Sequence, residues 1–147
     1  MTLDNILEEI KKAQTIVILC HESPDGDAVA SSLSVWHAVK QLGKEADMVI
    51  PDYSKMFNFL PGADKILKKG NHSNYDLAIS VDCTDLKWLV GASEYFETAK
   101  KTIEIDHHSV NSMFADYNYV NPAAPACCQV LILSLIHIWR CRRSYAC

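Results

Sequence analysis

The chain has 147 residues, a net charge of -4, a hydrophobic fraction of 49% and a charged fraction of 22%. This balance is typical of one globular domain, and it excludes both a chain too polar to bury a core and a protein that attracts nucleic acid through a general basic field. Its N-terminal stretch mixes acids with lysines, unlike a signal peptide, and no apolar run reaches membrane-spanning length. We therefore expect a cytoplasmic protein with no membrane partner.

The pattern of apolar residues predicts helices and strands that alternate along the chain. Continuous β-branched runs indicate strands that are buried on both faces, and runs of helical period lie between them. Pro24 and Gly26 predict irregular backbone throughout residues 21–27, and a turn is expected at Pro61 and Gly62. The predicted helices lie at 3–13, 28–42, around 93–99 and from 124 to 132, and the predicted strands at 15–20, 45–50, 76–81, 101–105 and, as an edge strand, 117–120.

This alternation favours an α/β fold, in which a doubly wound parallel sheet carries helices on both faces. In such sheets ligands bind beyond the carboxyl ends of the strands. Three of the predicted strands end in polar clusters, so the clusters are expected to meet at one edge. Their members are His21, Asp25 and Asp27 after the first strand, Asp82 after 76–81, and Asp106, His107 and His108 after 101–105.

Each cluster taken alone has a plainer interpretation. The Asp-Gly pair is typical of a turn or a helix N-cap, Asp82 is consistent with a strand-end cap, and a pair of histidines is weak evidence for metal. The three clusters together predict a metal site, because so many carboxylates cannot stay ionised side by side without a cation. Carboxylate and imidazole ligands without thiolate favour Mn²⁺, with Mg²⁺ or Co²⁺ as alternatives. Two such ions would activate water and hold both oxygens of a phosphoryl displacement.

The same residues resemble the motifs of the DHH phosphoesterase family. HESPDGDA at 21–28 is similar to the first motif of that family, VDCTD at 81–85 to the second, and DHH at 106–108 to the third, and the similarity runs from about residue 3 to residue 132. Segments around 50–66 and 114–131 most resemble the bacterial branch of nanoRNases and 3′,5′-bisphosphonucleotide (pAp) phosphatases.

The resemblance implies a role for each residue of the three clusters. His21 and Asp25 would hold one metal ion and Asp27 and His107 a second. Asp82 would bridge the two ions, and His108 would contact the scissile phosphate or assist the leaving group. Asp106 would orient a ligand histidine without contacting metal.

The end of the chain departs from the family pattern. All three arginines lie at 140–143, whereas residues 1–132 contain eleven lysines against 18 acidic residues. The segment LSLIHIWRCRRSYAC resembles a translated sequencing adapter, so we predict an incomplete DHH domain at 1–132 and a non-native tail at 133–147. The family's downstream metal-binding aspartate and second, substrate-binding domain would then be missing, and weak Mn²⁺ binding with little hydrolysis is expected of these 147 residues.

The function that the resemblance implies is metal-dependent hydrolysis of short RNA oligonucleotides and pAp, by a full-length protein that could form a homodimer. The related alternatives are a cyclic-dinucleotide phosphodiesterase, a RecJ-type exonuclease and an inorganic pyrophosphatase. The acidic character of the chain argues against a processive DNA exonuclease, which needs a basic track. A non-catalytic nucleotide-binding domain is the alternative from another class.

Overall fold

The structure is a computed structural model that describes residues 3–132. Within that range three helices and six strands follow one another in chain order. The helices are α1 (Leu3–Lys12), α2 (Gly26–Gln41) and α3 (Ser93–Glu97). The strands are β1 (Ile16–Cys20), β2 (Asp47–Val49), β3 (Ile66–Leu67), β4 (Leu77–Val81), β5 (Lys101–Asp106) and β6 (Tyr117–Val120). Residues 127–132, here called the terminal helical segment, are also helical.

All six strands belong to one sheet in the order β3-β2-β1-β4-β5-β6, and every pair is parallel. The strand order reverses direction between β1 and β4, which are neighbours in the sheet although β2 and β3 lie between them in the chain. A crevice opens at the carboxyl ends of the strands where a doubly wound sheet reverses in this way. The predicted α/β fold and parallel sheet are confirmed.

The sheet is covered on both faces, as predicted. Every residue of β1 and β4 is buried, because alternate side chains point into the two layers. On one face Ile18 and Ile79 pack with Val29 and Trp36 of α2, and residues of α1 and of the terminal helical segment join the same cluster. On the other face Val17 packs in a second cluster that includes Phe96 of α3.

Three local predictions were wrong. The helix expected from residue 124 begins at residue 127, because Pro125 disfavours helical backbone at the residue before it. Helix α2 begins at Gly26 and not at residue 28, because the Asp25 side chain accepts hydrogen bonds from the backbone N–H groups of Asp27 and Ala28 and so caps the helix two residues earlier. Strand β3 was not predicted at all. It has two half-buried residues at the edge of the sheet, too few to show an alternating pattern.

The predictions for residues 133–147 lie outside the described residues. Among residues 3–132, no helix combines the length and the apolar character that crossing a bilayer would need.

Candidate metal centre

The sheet brings the three polar clusters to one edge. His21 follows the last residue of β1, Asp82 follows β4, and β5 runs through Asp106 into His107 and His108. Because β1 pairs with β4 and β4 with β5, their carboxyl ends lie side by side, with Cys20 aligned to Val81 in one pair. The three clusters therefore lie at the carboxyl ends of β1 and β4, where the strand order reverses, and of the neighbouring strand β5.

A cavity of about 590 Å³ opens at this edge. It is lined by six of the seven residues predicted for the site, namely His21, Asp25, Asp27, Asp82, His107 and His108. The seventh, Asp106, is fully buried and is absent from the lining of the cavity.

Two groups of potential metal ligands meet at this cavity. In one, ligand atoms of His21, Asp25 and Asp82 lie within 4.8 Å of one another, and in the other those of Asp82, His107 and His108 do. Asp82 belongs to both groups. Its Oδ2 lies 3.8 Å from Nε2 of His21, and its Oδ1 lies 3.5 Å from Nε2 of His107. Asp82 is therefore the carboxylate that the two groups of potential ligands have in common.

The Asp82 side chain is held in an unfavourable state without a cation. It is 3% exposed, and its Oδ1 has no hydrogen-bond partner. The backbone of Asp82 has a φ of 53°, in the left-handed region that costs a non-glycine residue energy. Burial, followed by the nearby charge of Asp27, raises the pKa of Asp82 to about 6. A divalent cation would satisfy the unpartnered oxygen and offset the repulsion, so the residues present fit the metal that the sequence predicts.

Asp27 is already bound to another part of the chain. Its Oδ2 accepts a hydrogen bond from the backbone N–H of Cys127 at 2.8 Å, and its Oδ1 accepts one from Cys128 at 3.0 Å. Although burial opposes ionisation, these hydrogen bonds lower the pKa of the Asp27 carboxyl. Asp27 Oδ2 lies 3.7 Å from Nε2 of His107, and each carboxylate oxygen keeps a second lone pair for a cation.

Asp106 contacts His108. Its Oδ1 accepts from Nδ1 of His108 at 2.7 Å, while Nδ1 of His107 lies 3.2 Å from the carbonyl oxygen of Ala124. The histidine that Asp106 orients is thus the one predicted to act on the substrate. Burial opposes protonation of His108, but the hydrogen bond and the charge of Asp106 outweigh it and raise the pKa of the imidazole.

The sequence interpretation missed three residues around this site. Glu104 is fully buried, and Asn111 bridges it to Asp106 by donating to both carboxyl groups, at 2.7 Å to Asp106. Burial, together with the neighbouring charge of Asp106, raises the pKa of Glu104 to about 7, so this group holds a proton more readily than an ordinary glutamate. The third residue, Trp88, lines the cavity with its side chain partly exposed. An acid inside an otherwise apolar strand run was the available signal for Glu104.

Fold and site together define an α/β domain with a carboxylate and imidazole centre at the edge where a doubly wound parallel sheet reverses. The same class follows from comparison with known families. The sequence matches the DHH family, N-terminal domain, over residues 15–144. The chain belongs to the DHH family. The match extends into the segment predicted to be a non-native tail, whose origin stays a prediction.

Two relatives share the name bifunctional oligoribonuclease and PAP phosphatase NrnA. The protein from Thermus thermophilus is 33% identical over 133 residues, which is 86% of this chain and 38% of the relative. The protein from Mycoplasma genitalium is 23% identical over 138 residues, covering 89% of this chain and 42% of the relative. The chain thus spans about two fifths of the length of these relatives.

Solved structures share the fold. An exopolyphosphatase-related protein from Bacteroides fragilis superposes with a TM-score of 0.83 at 23% identity, over 92% of this chain and 43% of the other. The exonuclease RecJ bound to manganese superposes with a TM-score of 0.51 at 19% identity, over 90% and 35%. At these identities the likeness concerns the architecture only.

Proposed function

We propose that this chain is the metal-binding part of a phosphoesterase that hydrolyses short RNA oligonucleotides and pAp with two divalent cations. The observation that carries the proposal is the position of Asp82, a buried carboxylate with an unpartnered oxygen that is shared by two groups of ligands. A single structural cation would need only one of these groups.

The residues assigned to the cations are those of the sequence prediction. His21 and Asp25 would hold one ion, Asp27 and His107 the other, and Asp82 both. The structure groups His108 with Asp82 and His107, whereas Asp27 belongs to neither group and lies 3.7 Å from Nε2 of His107; we keep Asp27 as the ligand and assign His108 to the substrate. The absence of thiolate among these donors favours Mn²⁺ over zinc, with Mg²⁺ or Co²⁺ as alternatives. When bound, such a pair of ions supplies an activated water and neutralises charge on the phosphoryl group.

The chain itself supplies proton transfer and orientation. His108 is 43% exposed at the side chain, and Asp106 accepts a hydrogen bond from its Nδ1. Nε2 is then the nitrogen that can hold a proton for the leaving oxygen, and the raised pKa of this imidazole favours the protonated form that a general acid needs. Asp106, in turn held by Asn111, fixes the ring.

The names of the NrnA relatives support the substrates of this proposal, because one of them is 33% identical over most of the chain. The net charge of -4 supports short substrates that are held by metal and a few side chains over a long strand held by a basic track. A homodimer of the full-length protein remains part of the proposal and would be measured by light scattering.

The test is an assay with Mn²⁺ on the 147-residue chain and on a version continued to the length of its relatives. The substrates are pAp, a diribonucleotide, a cyclic dinucleotide and inorganic pyrophosphate. We expect hydrolysis of the first two, stronger in the longer version, and loss of hydrolysis in Asp82→Ala. Calorimetry of the longer version should give two Mn²⁺ ions per chain.

Nucleotide binding without hydrolysis in either version would contradict the proposal and favour a non-catalytic nucleotide-binding domain. Preference for the cyclic dinucleotide or pyrophosphate would move the assignment to another branch of the family. The control variant is Asp76→Asn, at the opposite end of β4, which should keep the activity.

A further inference from the structure

Trp88 differs in chemistry from the residues around it. It lines the same cavity as the candidate metal ligands, and its side chain is large and apolar among carboxylates, imidazoles and hydroxyls. It is 45% exposed, although a tryptophan usually gains more from burial than most residues. Among the described residues that line the cavity, it is the single aromatic side chain that is not a histidine.

The backbone fixes Trp88 at this place. It ends a short 3₁₀ turn at Leu86–Trp88, which the Asp85 side chain caps by accepting from the N–H of Lys87. The next residue, Leu89, is fully buried and packs in the second core cluster. The Trp88 carbonyl accepts a hydrogen bond from the N–H of Glu22 at 2.8 Å, which ties the turn to the loop after β1.

We propose that Trp88 is the stacking platform for a nucleobase of the substrate whose phosphate lies at the metal centre. This inference rests on the proposed function. The metal ligands of the cavity suit a phosphate, and none of them presents a large apolar face to a base. An indole face binds any base by stacking, and one such stack typically changes affinity roughly 5- to 100-fold. Lys87 Nζ lies 5.8 Å from the centroid of the Trp88 ring and adds a positive charge beside an acidic cavity.

The sharpest test compares two substrates that differ only in the base. These are pAp and ribose 3,5-bisphosphate, which is pAp without adenine. In Trp88→Ala with Mn²⁺, the KM for pAp should rise about 5- to 100-fold, whereas the KM for ribose 3,5-bisphosphate and both kcat values should change less than about threefold. Trp88→Phe should lie between wild type and Trp88→Ala, because a smaller ring still stacks.

Val90→Ala is the matched control. Val90 is 53% exposed, lies two residues further along and does not line the cavity, so both KM values should stay unchanged. An equal change in KM for both substrates in Trp88→Ala, or no change for either, would overturn the assignment of the base to Trp88.

A binding measurement separates this inference from the proposed function. AMP should quench part of the tryptophan fluorescence of the full chain with Mn²⁺. Trp88→Phe should lose that quenching, while Trp36→Phe should retain it, because Trp36 is buried and does not line the cavity. Quenching by AMP without hydrolysis of any substrate would contradict the proposed function but support the assignment of the base to Trp88. Undiminished quenching in Trp88→Phe would contradict the assignment of the base to Trp88, whatever the chain hydrolyses.

Discussion

Strand β4 is flanked by two aspartates, Asp76 before its first residue and Asp82 after its last, and the fold surrounds them in opposite ways. Asp76 accepts hydrogen bonds from the backbone N–H groups of Gln14 and Thr15 and from Nζ of Lys100, at 3.0, 3.1 and 2.7 Å. Lys100, followed by these backbone groups, lowers the pKa of the Asp76 carboxyl far below its usual value. At the other end, Asp82 has a buried oxygen without a hydrogen-bond partner and a raised pKa.

The comparison teaches where each carboxylate finds its stabilisation. Asp76 is satisfied by the chain itself and ties the start of β4 to the residue before β1 and to the start of β5. Asp82 faces other acids and histidines at the carboxyl edge, where a parallel sheet binds its ligands. One end of the strand is therefore stabilised by the chain itself, and the other carries a carboxylate whose unpartnered oxygen and charge repulsion a bound cation would offset.

The largest expected effect comes from exchanging the carboxylate at each end of β4 for an amide. In the version continued to the length of its relatives, Asp82→Asn should lower Mn²⁺ affinity more than about 100-fold and hydrolysis more than about 1,000-fold, since an amide cannot bridge two cations. Asp76→Asn should keep both properties and lower the thermal midpoint, because the charge opposite Lys100 is lost. Calorimetry with Mn²⁺, activity assays and thermal melts would check this. Normal Mn²⁺ binding in Asp82→Asn would remove the contrast between the two ends.

A smaller effect is expected from Asn111→Ala. Without the amide, the carboxyl groups of Glu104 and Asp106 lose a shared donor, which should cost about 1–3 kcal/mol of stability. Because Asp106 orients His108, kcat should also fall about tenfold, while Mn²⁺ affinity changes little.

Asn118→Ala is the matched control for that variant. Asn118 lies on β6 and makes comparable hydrogen bonds, to the backbone of Ala115, but it does not line the cavity. It should lose stability and keep kcat. If Asn111→Ala also kept kcat, the hydrogen-bonded chain behind His108 would be purely structural.

The two aspartates should also give opposite dependences of stability on pH in the metal-free chain. A raised pKa means that the folded chain binds more protons than the unfolded chain. The contribution of Asp82 to the free energy of unfolding is therefore present below about pH 4 and is lost, by roughly 2–3 kcal/mol, as pH rises through about 6. The lowered pKa of Asp76 gives the reverse, a contribution present above about pH 4 that is lost as the solution becomes more acidic.

Denaturant unfolding in EDTA from pH 3 to pH 8 would measure the free energy of unfolding on both the acidic and the neutral side of its maximum. Asp82→Asn should flatten the decline towards neutral pH in part, since Glu104, whose pKa is about 7, contributes with the same sign. Asp76→Asn should reduce the loss of stability as the solution becomes more acidic. Identical pH profiles for both variants would show that the two carboxyl groups do not differ as the structure indicates.

The smallest effect is expected from Lys100→Met. Lys100 is 76% exposed at the side chain, and an exposed ion pair with Asp76 is screened by water. Thermal melts should show a slight decrease of the midpoint, less than for Asp76→Asn, because the two backbone donors still hold the carboxylate. Mn²⁺ binding should be unchanged, and a loss of it would mean that the amino edge of the sheet influences the carboxyl edge.

Much of the fold could be predicted because β1 and β4 are short, largely apolar runs. Such runs are typical of parallel strands buried on both faces, and β1, β4 and β5 are each followed directly by polar residues. The edge at which His21, Asp82 and His107 meet follows from that pattern alone. Their roles toward a metal remain predictions, although the structure brings their ligand atoms close together.

What could not be predicted depends on contacts between distant parts of the chain. Glu104 lies in a predicted strand as an isolated acid, and its partner Asn111 comes from a loop without a pattern. Trp88 lies at the cavity while its neighbour Leu89 is buried in the core, and periodicity does not distinguish these two apolar residues. The early start of α2 could not be predicted because either Asp25 or Asp27 could have capped the helix, and the structure shows that Asp25 does.

The hydrogen bonds between Asp27 and the terminal helical segment have a consequence for the order in which this protein is assembled. Asp27 is separated from Cys127 and Cys128 by 100 and 101 residues. Asp27 therefore leaves the ribosome long before its partners do, and its carboxylate lacks those two donors until the chain is made through Cys128. Closing so long a loop is slow compared with forming a helix. The metal centre should thus be among the last features to form, and a cation present during synthesis would meet an unfinished site.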